Sequence, residues 1–220
     1  MKNAVIIVAG GIGSRMQSSV PKQFLLIKNK PVLMHTIEKF IEFDNTLDII
    51  LTLPENQIQT WNKLCAEYNF NHKHTIVVGG ITRFHSVRNA LEKISDNCEI
   101  IAVHDGVRPL VRVETIKKCF ELAAEKGNAI PIIQVNESIR RIFKNTNETI
   151  NRDGVCIVQT PQIFRYDIIM KAYKQTYIPE FTDDASVVEK SGCSINYTEG
   201  YRENIKITFP ADIDFADKFI

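Results

Sequence analysis

Short runs of β-branched apolar residues recur along the 220-residue chain, and amphipathic stretches separate them. Runs that are nearly continuous in isoleucine and valine are typical of buried strands in a parallel sheet. Such strands alternating with helices indicate an α/β domain with a helix-covered sheet and right-handed crossovers. We predict strands at Asn3–Ala9, Leu47–Leu53, His74–Val78, Glu99–Val103 and Ala129–Val135, and helices at Val32–Phe43, Gln57–Tyr68, Arg83–Ile94 and Glu114–Glu125.

The alternation stops after Val135. Two partly extended stretches, Glu137–Phe143 and Thr149–Val158, flank the polar, turn-like cluster Lys144–Glu148, and this pattern predicts a β-hairpin arm. No repeat or low-complexity linker divides the chain, so residues 1–220 are predicted to form a single domain that carries this arm. Beyond the arm we predict helices at Tyr166–Lys174 and Asp184–Lys190, strands at Ser194–Thr198 and Asn204–Phe209, and a final helix from Pro210.

The charge balance excludes some classes of partner. Lysine and arginine number 27 and aspartate and glutamate 26, which argues against a polyanion groove but leaves room for a local cationic pocket. The apolar run Ala4–Ala9 is too short for a signal-peptide core or a membrane span. Five dispersed cysteines favour reduced thiols and offer no zinc site. We therefore expect a cytoplasmic globular protein.

The most informative motif is the glycine-rich segment Val8–Met16, V-A-G-G-I-G-S-R-M, which follows the first predicted strand. Backbone N–H groups in such a turn can approach phosphates closely. Met16 stands where the dinucleotide fingerprint needs a third glycine, and the P-loop pattern is absent, so a dehydrogenase is disfavoured. Arg15 and Lys22 add two cations that suit a triphosphate and charge developing on phosphorus. The alternative is a tight turn with solvated cations.

Two later strand ends carry glycine or polar residues, in the positions where ligands bind to parallel sheets. Gly79–Gly80 and Ser86 could hold a flat base, or they could form an ordinary strand-to-helix turn. Asp105 and Arg108 could bind a sugar hydroxyl or phosphate, or they could pair to hold their own turn. His104 is expected to support that loop rather than to act as a base.

The segments Gly10-Gly11-x-Gly13-x-Arg15 and Pro21-Lys22-Gln23-Phe24 resemble the nucleotidyltransferase signature of the cytidylyltransferases that make CDP-polyols. Later segments extend the resemblance over essentially the whole chain: Q-T-P-Q at 159–162, T-D-D-A-S at 182–186 and E-N-I-K-I-T at 203–208. The resemblance implies a Rossmann-like nucleotidyltransferase domain, with a mostly parallel twisted sheet flanked by helices and a protruding β-hairpin arm. It also implies a reaction in which CTP and a polyol phosphate give a CDP-polyol and pyrophosphate.

The resemblance assigns roles to single residues in three sets, which supply catalytic charge, bind CTP and bind the polyol phosphate. The catalytic set is Arg15, Lys22 and Lys206; the CTP-binding set is Ala9, Gly10, Gly11, Gly13, Gly80, Ser86 and Gly106; the polyol phosphate set is Asp105, Arg108, Ser138, Arg152 and Thr160. Lys206 taken alone could also be an edge-strand charge. Ile81 stands where many members of the family have an acidic residue, so backbone groups are expected to hold the base there.

The resemblance further implies Mg²⁺ held mainly by the CTP phosphates, with no side chain assigned as a metal ligand. In the family the arm, residues 137–158 here, embraces a second subunit, so we expect a homodimer in which Ser138 and Arg152 act in their own or the neighbouring site.

The identity of the acceptor depends on finer similarities. The glycine segment is slightly more similar to members that act on ribitol 5-phosphate. The segments F-T-D-D-A-S and E-N-I-K-I-T, with Asn151-Arg152, are more similar to members that act on 2-C-methyl-D-erythritol 4-phosphate in non-mevalonate isoprenoid precursor synthesis. We expect the second acceptor, with ribitol 5-phosphate and a non-catalytic CTP-binding module as alternatives. Thr182 and the two acids after it also have the form of a helix N-cap.

Overall fold

A computed structural model of the protein describes residues 2–11, 16 and 20–220. Its strands are β1 (Lys2–Val8), β2 (Leu26–Ile27), β3 (Lys30–Pro31), β4 (Asp48–Leu53), β5 (Thr75–Val78), β6 (Cys98–Asp105), β7 (Asn128–Gln134), β8 (Ile139–Phe143), β9 (Thr146–Ile150), β10 (Cys156–Val158), β11 (Gln162–Arg165) and β12 (Tyr197–Glu199). Its helices are α1 (Val32–Phe43), α2 (Glu55–Glu67), α3 (Arg83–Leu91), α4 (Val113–Lys126), α5 (Tyr166–Ala172), α6 (Asp184–Lys190) and α7 (Pro210–Ala216), with a short 3₁₀ helix at Lys22–Phe24.

The central sheet has the strand order β10-β7-β11-β6-β1-β4-β5, and β12 pairs with β7. Strands β6, β1, β4 and β5 run parallel, whereas β11 is antiparallel to both β6 and β7. The predicted α/β class and mostly parallel sheet are confirmed. Strands β4 and β5 lie on one side of β1, and the next strand of the sheet along the chain, β6, lies on the other side. This reversal creates a switch point at the carboxyl ends of β1 and β6, which is where open α/β sheets bind ligands.

Side chains of β1 alternate between two core layers. Val5 and Ile7 pack in a cluster with residues of α1, α2 and α4. Ala4 and Ile6 pack in a second cluster with residues of α3, α5 and α6. All four are fully buried, which explains why the sequence of this strand is continuously apolar and does not alternate between apolar and polar residues. The sheet is therefore covered by helices on both faces.

Most predicted elements lie within a few residues of their observed bounds, and α1 and α6 match the prediction. The predicted strand Asn204–Phe209 is wrong. The N–H of Asn204 donates to the carbonyl of Tyr201 in a turn, and the N–H of Ile207 donates to the carbonyl of Val107 at 2.9 Å. These bonds do not form the ladder of hydrogen bonds that joins a strand to a sheet. The side chain of Asn204 instead donates to the carbonyl of Thr160 at 3.0 Å. The segment is held by isolated contacts and does not join the sheet.

The hairpin arm is present, but its turn and its second strand are shorter than predicted. The second strand ends at Ile150, and Cys156–Val158, predicted to belong to the hairpin, pairs with β7 in the central sheet. Phe143 pairs with Thr146, so only Lys144 and Asn145 form the turn, and the rest of the predicted turn cluster belongs to β9. Strands β8 and β9 form a two-stranded sheet of their own, and Ile142 on it is 81% exposed. Among the helices of the described ranges, none has both the length and the apolar character needed to cross a membrane.

Candidate active site

A cavity of about 390 Å³ opens where β1, β5 and β6 end, at the switch point of the sheet. Its size lies in the range of pockets that take small ligands. The loops after these strands and the C-terminal segment line it together. Eight of the residues predicted to act in the site lie on its wall: Ala9, Gly10, Gly11, Lys22, Gly80, Ser86, Asp105 and Lys206.

The end of β1 brings the predicted phosphate-binding residues against Lys22. The side chain of Gln23 donates to the carbonyl of Ala9 at 2.9 Å, which ties the loop to the 3₁₀ helix. Lys22 is 8% exposed, and its Nζ donates to the carbonyl of Ile207 at 3.1 Å. A Cβ on Gly11 would lie 3.3 Å from Cε of Lys22, so the glycine lets the lysine lie close to the backbone. Gly13 and Arg15 lie outside the described residues, so their predicted roles stay predictions.

The loop after β5 requires glycine for steric reasons. A Cβ on Gly80 would lie 2.3 Å from Cβ of His85 and within 3 Å of its backbone. The N–H of Gly80 donates to Oγ of Ser86 at 3.0 Å, and that hydroxyl donates to the carbonyl of Thr82 at 3.0 Å. Ser86 thus shapes the loop with its own hydrogen bonds, while the side chain of Ile81 is 92% exposed beside the cavity. The loop presents mainly backbone groups and an apolar side chain to a ligand.

Asp105, at the end of β6, lies in a cluster of cations. Its Oδ2 is 3.0 Å from Nε of Arg108 and 3.2 Å from Nζ of Lys206, and its Oδ1 is 3.7 Å from Nε of Arg83. Burial disfavours the charge of this carboxylate, but the Lys206, Arg83 and Arg108 cations outweigh that penalty and hold the pKa of Asp105 well below its usual range. The carboxylate is therefore ionised at neutral pH, and it fixes the cations around the cavity.

Thr160 and His104 support Asp105 from behind the cavity. Nε2 of His104 lies 3.2 Å from the carbonyl of Arg108, which can only accept, so this nitrogen carries the proton. Burial lowers the pKa of His104 to about 3, so the ring is neutral and its Nδ1 accepts from the hydroxyl of Thr160 at 3.0 Å. That hydroxyl in turn accepts from the N–H of Asp105 at 3.1 Å. The prediction that His104 supports the loop is confirmed.

Arg108 and Gly106 also pack behind the cavity wall. Nη1 of Arg108 donates to the carbonyl of Asn204 at 2.7 Å, so the guanidinium joins the Asp105 loop to the C-terminal segment. Gly106 is buried, and a Cβ there would lie 3.0 Å from Cβ of Ala9. Close packing between the ends of β1 and β6 therefore accounts for this glycine.

Ser138 and Arg152 lie on the exposed arm, and neither is among the residues that line the cavity of this chain. Arg152 donates to the carbonyl of Asn136, the residue directly before the arm. The structure thus brings together Asp105, Arg108 and Thr160 from the predicted polyol phosphate set, and leaves the two arm residues apart from them. The prediction that they act in a neighbouring subunit stays a prediction.

Sequence reasoning missed two charged residues beside the site. Arg83 lines the cavity, and its Nη2 lies 2.7 Å from Oδ2 of Asp184, which is fully buried. Arg83 follows the glycine turn by only three residues, a spacing that could have marked it as a loop cation. Asp184 carried no comparable signal, because its segment has the form of a helix cap. The cap is in fact Asp183, whose side chain accepts from the N–H of Ser186 at 2.9 Å; Thr182 is not the cap.

No cluster of three or more histidine, cysteine, aspartate or glutamate side chains suited to a metal ion occurs within residues 2–11, 16 and 20–220. In the same ranges Asp105 is the single carboxylate on the cavity wall, and cations already surround it. The described wall therefore supplies no cage of acidic ligands. A hard cation such as Mg²⁺ binds readily through substrate phosphates, and that mode of binding is compatible with this cavity.

Comparisons with known proteins agree on one family. The family model IspD, 2-C-methyl-D-erythritol 4-phosphate cytidylyltransferase, matches residues 3–220. The chain is 49% identical to a Bacteroides thetaiotaomicron protein of that name over 220 residues, covering 100% of both chains.

Solved structures give the same result. The fold is similar to that of 4-diphosphocytidyl-2C-methyl-D-erythritol synthase from Anaerococcus prevotii, with a TM-score of 0.82, 25% identity and coverage of 99% of this chain and 97% of that one. It is equally similar to the bifunctional IspDF from Campylobacter jejuni, with a TM-score of 0.82 and 29% identity. There the match covers 98% of this chain and 54% of that one, so the chain spans about half of the bifunctional protein.

Proposed function

Since the chain belongs to the 2-C-methyl-D-erythritol 4-phosphate cytidylyltransferase family, we propose that the cavity at the ends of β1, β5 and β6 is where its reaction takes place. The protein is an enzyme that transfers a cytidylyl group from CTP to 2-C-methyl-D-erythritol 4-phosphate, giving the CDP-polyol and pyrophosphate for isoprenoid precursor synthesis. The observation that carries the assignment of the site is the convergence of Lys22, Asp105 and Lys206 on one cavity at the switch point.

CTP would lie across the two glycine loops. Backbone N–H groups at Gly10 and Gly11 suit the triphosphate, and Lys22 beside them supplies a positive charge. The loop Gly80–Ser86 would receive the cytosine and ribose through its backbone groups, because the hydroxyl of Ser86 is already engaged. In this arrangement the α-phosphorus would lie between the two loops, in the cavity that Asp105 and Lys206 also line.

The acceptor would bind at the cation cluster around Asp105. A phosphate oxygen of the polyol phosphate attacks the α-phosphorus, the bond to the β-phosphate oxygen breaks, and pyrophosphate leaves toward the glycine loop. The attacking phosphomonoester is already an anion near neutral pH, so the reaction needs no general base, which agrees with a buried, neutral His104. Catalysis then consists of positioning and charge stabilisation by Lys22, Lys206 and Arg15.

Mg²⁺ completes this proposal as a cofactor held mainly by the CTP phosphates. When bound it would neutralise part of the triphosphate charge. Lys22 and Lys206, which line the cavity, would neutralise the rest of the triphosphate charge.

We propose further that the chain forms one domain whose arm, residues 137–158, closes a homodimer in the cytoplasm. Exposed apolar side chains within these residues support this: Ile142 and Phe143 on the β8–β9 hairpin, and Ile157 on β10. Arg152 is exposed at the base of the arm, and its guanidinium suits bidentate binding of a phosphate. In the dimer, Arg152 and Ser138 would reach the acceptor phosphate in the neighbouring site.

The assay that tests the function is pyrophosphate release from CTP with each candidate acceptor. We expect rapid release with 2-C-methyl-D-erythritol 4-phosphate and release at least tenfold slower, in kcat/KM, with ribitol 5-phosphate. Release that needs ribitol 5-phosphate would overturn the assignment of the acceptor. Saturable CTP binding with no release for either acceptor would overturn the assignment of an enzyme.

A further inference from the structure

A buried chain of polar contacts runs from α5 to the cavity wall. The hydroxyl of Tyr173 donates to Oδ1 of Asp184 at 2.6 Å, and Oδ2 of Asp184 lies 2.7 Å from Nη2 of Arg83. The other side of that guanidinium, at Nε, lies 3.7 Å from Oδ1 of Asp105. Asp184 is 0% exposed and does not line the cavity, so it cannot touch a ligand there.

Helix α6 does not need the carboxylate of Asp184. Asp183 caps that helix through Ser186, and its other oxygen accepts from the side chain of Gln162 at 2.7 Å. A buried ion pair is in general no more stabilising than well-packed apolar side chains of similar size. The position of Asp184 is therefore better explained by what it does to Arg83 than by what it adds to the core.

Arg83 is held between two carboxylates, and this fixes the direction of the second one. Burial opposes the charge of the guanidinium, but Asp184 and Asp105 outweigh it and raise the pKa of Arg83 above its ordinary value. While Asp184 draws Nη2 away from the cavity, only Nε faces Oδ1 of Asp105, and Oδ2 stays with Arg108 and Lys206. Without Asp184, the whole guanidinium would be left to Asp105 and would compete with those two cations for its oxygens.

We propose that Asp184 is a positioning residue that acts through Arg83 to orient the carboxylate of Asp105 toward Arg108 and Lys206. This inference deepens the role proposed above for Asp105 in binding the polyol phosphate. It assigns a function to the second acid of the T-D-D-A-S segment, and it makes Tyr173 the group that holds Asp184 in place.

The test compares Asp184→Asn with Asp183→Asn, a matched change at the neighbouring residue, whose carboxylate accepts from Ser186 and Gln162. For Asp184→Asn we expect the KM for the polyol phosphate to rise at least tenfold while the KM for CTP changes less than threefold. Asp183→Asn keeps an amide oxygen that can cap the helix, but its amide nitrogen cannot accept from the side chain of Gln162. For this variant we therefore expect a slightly lower midpoint of urea unfolding, with both KM values within threefold of wild type. Wild-type kinetics for Asp184→Asn, at whatever stability, would overturn the proposal.

A double-mutant cycle shows whether Asp184 acts through Arg83. If it does, adding Asp184→Asn to Arg83→Met should change kcat/KM by less than threefold beyond Arg83→Met alone. Independent, multiplicative losses would overturn the proposal. If Asp184→Asn does not fold, Tyr173→Phe takes its place, and we expect a rise of about threefold in the KM for the polyol phosphate; an unchanged KM would count against the proposal.

One further variant separates this inference from the proposal on which it rests. If Asp105→Asn leaves the KM for the polyol phosphate unchanged, the proposed role of Asp105 is wrong and the inference falls with it. If Asp105→Asn raises that KM while Asp184→Asn leaves it unchanged, only the inference about Asp184 is wrong.

Discussion

The variant Lys22→Met shows whether Lys22 supplies a charge for catalysis or only stabilises the fold. Methionine keeps an unbranched side chain of similar length, so it fills the space of a residue that is only 8% exposed. The ammonium group is lost, together with its 3.1 Å hydrogen bond to the carbonyl of Ile207. Loss of one such hydrogen bond from a charged donor costs about 2 kcal/mol of stability, because the carbonyl is left without this donor.

The catalytic cost of the same change should be larger. A preorganised group that stabilises transition-state charge is worth on the order of 10²–10³ in rate, which corresponds to about 3–4 kcal/mol. For Lys22→Met we therefore expect kcat to fall by about two to three orders of magnitude while the free energy of unfolding falls by about 2 kcal/mol. Pyrophosphate release measures the first quantity and urea unfolding the second.

Lys28→Met is the matched control. Lys28 is exposed and forms a long ion pair with Asp217 at 3.7 Å, outside the cavity, so we expect wild-type turnover. Turnover of Lys22→Met within threefold of wild type would refute the assignment of a catalytic charge. A loss of 3 kcal/mol or more in unfolding free energy, with kcat unchanged per folded molecule, would make Lys22 a structural residue instead.

Three further predictions concern Gly10, Arg152 and His104. Gly10→Ala should fold normally, because the nearest described atom to its Cβ would be Oγ of Ser86 at 3.9 Å. It should weaken CTP binding at least tenfold, as measured by calorimetry. Unchanged affinity would show that this glycine is not part of the phosphate site. Mixing inactive Lys22→Met and Arg152→Ala subunits should restore about a quarter of wild-type activity if Arg152 acts in the neighbouring site, and none if it acts in its own. Because the buried ring of His104 has a pKa of about 3 and an unfolded histidine one of about 6.5, the unfolded chain alone takes up a proton on acidification. This site should therefore cost about 2 kcal/mol of stability between pH 7 and pH 5, and urea unfolding of His104→Gln, which lacks the titrating ring, should show a smaller loss over that interval.

The parts of the fold that follow from local pattern could be predicted from the sequence. Strand β1 is apolar on both faces, and α1 carries a helical stripe, so both were predicted within a residue or two. Strand β11 was missed because Q-I-F-R is only four residues long, and its antiparallel place between β6 and β7 is decided by tertiary pairing. The segment Asn204–Phe209 misled the prediction for the opposite reason, since its apolar pattern is typical of a strand but its hydrogen bonds go to loop residues.

In the candidate site, too, some residues could be predicted from local sequence and others could not. Glycines and cations that follow strands could be predicted, because parallel strands deliver the residues after them to a common edge. That rule identified Lys22 and Asp105. It could not show that the hydroxyl of Thr160 accepts from the N–H of Asp105, or that Asp184 reaches Arg83, because these contacts join segments far apart in the chain. The hydroxyl of Ser86, by contrast, is engaged locally by the carbonyl of Thr82, as the alternative of an ordinary strand-to-helix turn allowed.

A crystal structure of the protein with CTP would show directly whether the nucleotide binds in this cavity. We expect phosphate oxygens within hydrogen-bond distance of the N–H groups of Gly10 and Gly11 and of Nζ of Lys22, with the cytosine against the loop at Gly80. CTP bound away from the ends of β1 and β5, with this cavity left to solvent, would contradict this expectation.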